Sequence, residues 1–161
     1  MRVDLATQVM RADAAAAAAA ARYLADGGLV AFPTETVYGL GADARNGRAV
    51  AKLFVAKGRP TFNPLIAHVA NLGEARRLAR FDGAAERLAE KFWPGPLTLV
   101  LPKRSDGPVS ELATAGLDTI AVRVPEHPVA RHILAAFGGP VGFALTNSTW
   151  IRSLTSGRPR P

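Results

Sequence analysis

The segment LVAFPTETVYGLG, Leu29 to Gly41, passes from four apolar residues straight into a polar stretch. PTETVYGLG carries three hydroxyl side chains, one carboxylate, a proline and two glycines. LVAF has the length and composition of a short buried strand, and the Thr, Pro and Gly that follow read as a loop. In a layered sheet, ligands sit at the carboxyl ends of strands. A tight, polar, backbone-rich loop at such an end is therefore a candidate binding surface.

Working outward, RADAAAAAAAARYLADGG (11–28) predicts a helix, since alanine is the strongest helix former and the glycine pair stops it. NGRAVAKLFVAKGRP (46–60) predicts a second, with Val50, Leu53 and Phe54 on one face. Residues 73–80, 84–92 and 127–137 predict three more. PLIAHV (64–69), LTLVLP (97–102), TIAVRVP (119–125) and VGFAL (141–145) predict strands, and WPGP (93–96) a rigid turn. Strands alternate with helices without a visible repeat. This implies a layered α/β domain with a mixed or parallel sheet and packed helices. The loops after LVAF, LIAH and TIAV are the places to look for chemistry.

A chain of 161 residues, 48% apolar and 20% charged, suits one globular domain. No apolar run reaches the ~18–20 residues that span a bilayer, and the alanine run is too weakly apolar for a signal core. The expectation is a soluble, cytoplasmic protein with no membrane partner. Zero cysteines exclude disulfides, thiol nucleophiles and thiolate metal sites. His68, His127 and His132 show no metal-binding spacing. The net charge is +7, and residues 127–161 hold four arginines and no acid. A basic surface favours polyanions such as nucleotides or RNA, although arginine-rich surfaces also arise from genome composition.

No P-loop, Rossmann turn or serine elbow is present. What remains is a set of binding groups without an obvious nucleophile. Lys57 and Arg59 in KGRP suit phosphate oxygens, or serve only to offset a helix dipole. Asn63 is a capping or ligand-contacting amide. His68, inside LIAHVA, is either a satisfied core histidine or a ligand group. Arg123, flanked by valines, needs an anionic partner if buried. A ligand carboxylate, Glu35 or another internal acid would serve. WPGP is a stacking platform or a packed turn.

Four pieces in order, PTETVYGLG, AKGRP with NPLIAHV, WPGPLTLVL and TIAVRVPEHP, resemble the YrdC-type threonylcarbamoyl-AMP synthases. The resemblance covers about residues 16–141. It implies an α/β (α+β) fold of the three-layer YrdC/RibB-like kind: a twisted mixed sheet, helices on both faces and a concave basic cleft. It implies conversion of L-threonine, bicarbonate and ATP with Mg2+ into threonylcarbamoyl-adenylate and pyrophosphate. That product feeds a downstream tRNA threonylcarbamoyl transferase, with tRNA itself a candidate contact. The missing nucleophile then has a reason, because substrates supply it and the protein positions them. By resemblance Thr36, His68 and Arg123 bind threonine, Arg123 pairing its carboxylate. Lys57, Arg59, Asn63, Thr119 and Asn147 bind ATP, with no metal held by protein side chains. Tyr38, Gly39 and Gly41 would let backbone approach the ligand.

The resemblance breaks after GGPV. The family reads close to A-A-P-S-A-N-x-S-G, whereas this chain reads GFALTNSTWIRSLTSGRPRP. In register, Ala144 replaces the proline and Leu145 the ATP-site serine, while Asn147 is retained. The expectation is a YrdC-like domain over 1–146, incomplete at its C-terminus, and a divergent, loosely ordered basic tail over 147–161. A divergent paralogue, a frameshift near codon 141 and a cloning boundary each produce this pattern. All three weaken ATP use more than threonine recognition and make this chain a poor synthase. The rival reading is a catalytically impaired relative or fragment that acts as an RNA- or nucleotide-binding module.

Overall fold

The computed structural model describes residues 7–146. Asn147 and the expected tail over 147–161 lie outside the described residues. Among the described residues, five helices and six strands follow one another as α1 (Ala14–Ala25), β1 (Val30–Pro33), β2 (Tyr38–Asp43), α2 (Gly47–Lys57), β3 (Ile66–His68), α3 (Leu72–Leu78), α4 (Gly83–Phe92), β4 (Leu99–Pro102), β5 (Thr119–Arg123), α5 (Pro128–Phe137) and β6 (Val141–Leu145).

Local chemistry sets the helix ends. Asp13, Asn46, Asn71 and Asp82 each accept a hydrogen bond from a first-turn N–H, satisfying donors that the helix leaves open. Gly58 and Gly138 close α2 and α5 in the left-handed conformation, where a Cβ is unfavourable.

The strands form one sheet in the order β1-β2-β6-β3-β5-β4. Only β3 and β5 pair in parallel; the other four pairings are antiparallel. The sheet is therefore mixed, within the expected range. Its sixth strand is one the sequence reading lacked. PTETVYGLG is a hairpin and not an open loop: Pro33 pairs with Tyr38, and Val30 with Gly41. The turn is Thr34 to Val37, closed by Thr34 N–H donating to the Val37 carbonyl at 3.0 Å.

Side chains alternate between the two faces of this sheet. One face meets α2, α3 and the 109–113 segment. Leu40, Ala42 and Ala144 pack on Val50, Leu53 and Phe54, while Ala67, Ile120 and Val122 pack on Ala75 and Leu78. On the other face, Phe32, Val141 and Phe143 pack under α1 and α5 through Leu24, Ile133 and Leu134. This gives three layers, but the second cover is partial. Over β3, β5 and β4 the same face carries Ile66 and Ala121, both half-buried, and Val100, which is 66% exposed. Leu145, at the end of β6, is 51% exposed on that face. Half of one sheet face is thus open among the described residues, and the candidate site lies along it.

The glycines of β2 correct a second expectation. A Cβ on Gly39 would stand 2.1 Å from the Phe143 ring, and one on Gly41 would stand 2.6 Å from Val141 Cγ1. These positions make room for core side chains rather than for a ligand.

Candidate functional site

The site begins in the Thr34–Val37 turn. The buried Thr34 hydroxyl donates to the Val37 carbonyl at 2.7 Å and accepts from the Val37 N–H at 3.2 Å. Its contact with Thr36 Oγ1 is 3.0 Å. A hydroxyl that satisfies its own turn in this way fixes the two residues between, and it holds Glu35 and Thr36 in place over the sheet.

Arg123 ends β5 and is 3% exposed. Its Nε donates to the Gly95 carbonyl at 3.2 Å, Nη1 to Thr36 Oγ1 at 3.1 Å, and Nη2 to Glu35 Oε1. Glu35 is one of the partners that its sequence context allowed. Gly95 belongs to the WPGP turn. There Trp93 donates Nε1–H to the Leu97 carbonyl at 2.7 Å and packs against Phe81, so the turn is a packed support rather than an open stacking surface. The other Glu35 oxygen accepts from the N–H groups of Glu126 and His127, at 2.9 and 3.1 Å, just ahead of α5.

His68 is the register partner of Arg123 in the parallel pair and is fully buried. Its Nδ1 lies 3.1 Å from the Ile66 carbonyl. A carbonyl only accepts, so Nδ1 carries the proton and Nε2 presents a lone pair. Nε2 has no hydrogen-bond partner among the described residues. The ring packs at a tilt of 43° against Phe143, with centroids 4.4 Å apart. His68 is thus both a core residue and an unfilled acceptor, two alternatives that the sequence reading set against each other.

The electrostatics of the cluster are one-directional. Burial holds the His68 imidazole down at about 4, aided by the positive charge of Arg123. Burial pushes Glu35 up, but the Arg123 guanidinium and backbone N–H bonds outweigh it and hold the carboxyl at about 2. At neutral pH the cluster is therefore Arg+, Glu− and neutral His.

A pH prediction follows. For both groups the unfolded chain takes up protons at a higher pH than the folded one, so stability falls as the pH is lowered. The Glu35 contribution is complete above about 4.5 and is lost towards about 2. The His68 penalty begins below about 6.5 and grows until about 4. At about 1.4 kcal/mol per unit, His68 alone should remove about 2 kcal/mol between pH 7 and pH 5. Urea unfolding at the two pH values measures this. An unchanged loss in His68→Gln would reject the assignment.

The expected phosphate ligands sit elsewhere. Lys57 is half-buried in the last turn of α2, its ammonium pushed down by burial and by Arg59. Arg59 donates Nη2–H to the Pro64 carbonyl at 3.1 Å, with Nε at 3.4 Å from the Asn63 carbonyl, so it braces the approach to β3. Thr119 opens β5, exposed on the same sheet face as Ala121 and Arg123. Asn63 and Thr119 therefore mark the amino ends of β3 and β5, while His68 and Arg123 mark the carboxyl ends. Four residues of strand separate the two groups by roughly 13 Å. Asn63 and Thr119 thus stand at the strand ends opposite to His68 and Arg123, while Lys57 ends α2, which packs on the other sheet face. Continuing the β6–β3 register two residues sets Leu145 beside Pro64, at the Asn63 and Thr119 end.

Comparison with known proteins decides the family. Residues 22–153 match the Sua5/YciO/YrdC family model, described as telomere recombination. The chain belongs to this family. It is 48% identical over 143 residues to the threonylcarbamoyl-AMP synthase of Pyrococcus abyssi, covering 88% of this chain and 39% of that one. It is 43% identical over 160 residues to the Bacillus subtilis threonylcarbamoyl-AMP synthase, covering 99% and 44%. The crystal structure of P. abyssi Sua5 complexed with L-threonine is similar with a TM-score of 0.79 at 47% identity, covering 84% of this chain and 39% of that one. The chain thus spans about two fifths of the length of these relatives. The mixed α/β sheet and helices expected for the family are observed, and no helix among the described residues is long and apolar enough to cross a membrane.

The sequence reading missed one contributor to the site, the Gly95 carbonyl, and part of the role of another, Glu35. The Gly95 carbonyl bears no side-chain signal at all. Glu35 was visible as a candidate partner of Arg123, but its bonds to the N–H groups ahead of α5 join residues 91 and 92 positions apart, and no local pattern shows them.

Proposed function

We propose that this chain acts as a threonylcarbamoyl-AMP synthase domain in the cytoplasm, making the activated intermediate for tRNA threonylcarbamoyladenosine modification. The observation that carries this reading is the meeting of Thr36, His68 and Arg123 at one end of the open sheet face, in a chain similar to a Sua5 complexed with L-threonine. Threonine binds there, its carboxylate on the free N–H groups of Arg123 and one of its donors on His68 Nε2. ATP lies towards Lys57, Arg59, Asn63 and Thr119, with Asn147 as a further contact. These are cationic and neutral polar groups, suited to phosphate oxygens and not to a metal ion. Magnesium therefore enters with the ATP phosphates as part of the substrate.

The reaction needs no protein nucleophile. The threonine amine attacks the bicarbonate carbon and water leaves, giving the carbamate. A carbamate oxygen then attacks the α-phosphorus of ATP and pyrophosphate leaves. The chain contributes alignment and charge neutralisation. Leu145 offers no hydrogen-bond donor on the ATP side, so turnover is expected to be slow. The product passes to a tRNA threonylcarbamoyl transferase.

The test is pyrophosphate release by the 161-residue chain with each substrate omitted in turn. Release that requires both threonine and bicarbonate is the expected result. Release indifferent to threonine, or salt-sensitive tRNA binding with no release, would overturn the reading in favour of a nucleic-acid-binding module.

A further inference from the structure

Glu35 is the one ionised group of the cluster to which threonine binding assigns no role. We infer that Glu35 is a positioning residue for threonine: its carboxylate fixes the Arg123 guanidinium and ties the Thr34–Val37 turn to the start of α5. This inference rests on the threonine reading above.

The geometry gives three reasons. An arginine has five N–H donors, and Arg123 commits three of them, to Gly95, Thr36 and Glu35. One N–H on each terminal nitrogen remains, and the three anchors set where that pair points. A carboxylate ligand meets a pre-aimed fork instead of a rotating side chain, which lowers the ordering cost of binding.

Second, Glu35 meets donors on both oxygens. Oε1 accepts from Arg123, and Oε2 accepts from the Glu126 and His127 N–H groups. Only a carboxylate accepts on both sides. A glutamine of the same shape would turn its NH2 towards either the guanidinium or the two amides, donor against donor. The position therefore asks for charge and not merely for volume.

Third, Glu35 is not the base that deprotonates the threonine amine. Its carboxyl is held at about 2 by Arg123 and the backbone N–H groups against the upward push of burial. A carboxylate that far below neutrality is a poor proton acceptor. Its remaining function is to hold Arg123 and the turn that carries Thr36.

The test uses the full chain as wild type, Glu35→Gln and Glu35→Asp. Calorimetric titrations with L-threonine and with MgATP give both affinities, and the Arg123 Nε–Hε resonance in 15N-arginine-labelled protein reports the anchoring directly. Glu35→Gln should weaken threonine about tenfold or more, leave ATP within twofold and broaden the Arg123 resonance by exchange. Glu35→Asp, which keeps the charge, should recover part of the threonine affinity. Threonine binding by Glu35→Gln as tight as wild type would overturn the inference. Tighter binding would also overturn it, because Glu35 would then be a competitor for Arg123. Equal weakening of both ligands would reduce Glu35 to general stability and overturn it too. If wild type binds no threonine, the functional reading fails separately. The clamp on Arg123 is then judged by the resonance, and an unchanged signal in Glu35→Gln overturns it.

Discussion

Replacing Arg123 with alanine should weaken L-threonine binding by about 30- to 4,000-fold while ATP affinity stays within a few-fold. The range converts the roughly 2–5 kcal/mol typical of truncating one partner of a buried, hydrogen-bonded charge pair. Arg123 qualifies because it is 3% exposed and is bonded through all three of its nitrogens. The selectivity follows from position, since Asn63 and Thr119, two of the proposed ATP contacts, lie at the opposite ends of β3 and β5. Truncation also strands Glu35 without its guanidinium, so Arg123→Lys is the useful companion. A lysine keeps the charge but cannot reach Gly95, Thr36 and Glu35 together, and it should lose most of the same affinity. Calorimetric titration of threonine and ATP on the three proteins measures the effect. Equal weakening of both ligands by either variant would reject Arg123 as a threonine-selective group.

The ease of reading this chain varied with the range of the interaction concerned. Helices were legible because their signals are local: an alanine run stopped by Gly27 and Gly28, one apolar face of Val50, Leu53 and Phe54, and Gly58 and Gly138 after α2 and α5. Apolar strands such as TIAVR were legible for the same reason. β2 was not. YGLGAD holds two glycines, which are depleted in strands, and it follows a turn sequence that also fits an extended binding loop. Its glycines are explained only by Phe143 and Val141, about a hundred residues later and two registers away in the sheet. The site divided in the same way. Arg123 betrayed itself as a charge among valines. The distance of Arg59, Asn63 and Thr119 from it depends on strand order, which no local pattern encodes. Four motifs in the right order supplied what periodicity could not, because their spacing reflects a whole fold.

That long-range constraint on β2 yields the largest stability prediction. The need for glycine at position 39 is spatial, since a Cβ there would stand 2.1 Å from two atoms of the Phe143 ring. The ring has little room to retreat. Phe143 is 1% exposed, with Phe32 on one side at 4.9 Å between centroids and His68 on another at 4.4 Å. Gly39→Ala should therefore cost about 3 kcal/mol, at the upper end of the usual overpacking range. Phe143→Ala, which empties the same space, should cost about 3–5 kcal/mol. Either is a large fraction of the ~5–15 kcal/mol that typically holds a domain together. The two should not add. Once the ring is gone, the new methyl meets no clash and fills part of the cavity. The double variant should thus be about 2–3 kcal/mol more stable than the sum of the single effects predicts, a coupling of the size seen between residues in direct contact. Urea unfolding of wild type, both single variants and the double variant closes the cycle. Additivity within about 0.5 kcal/mol, or a neutral Gly39→Ala, would show that β2 accommodates a side chain at this position and that its glycine answers to some need other than the Phe143 ring.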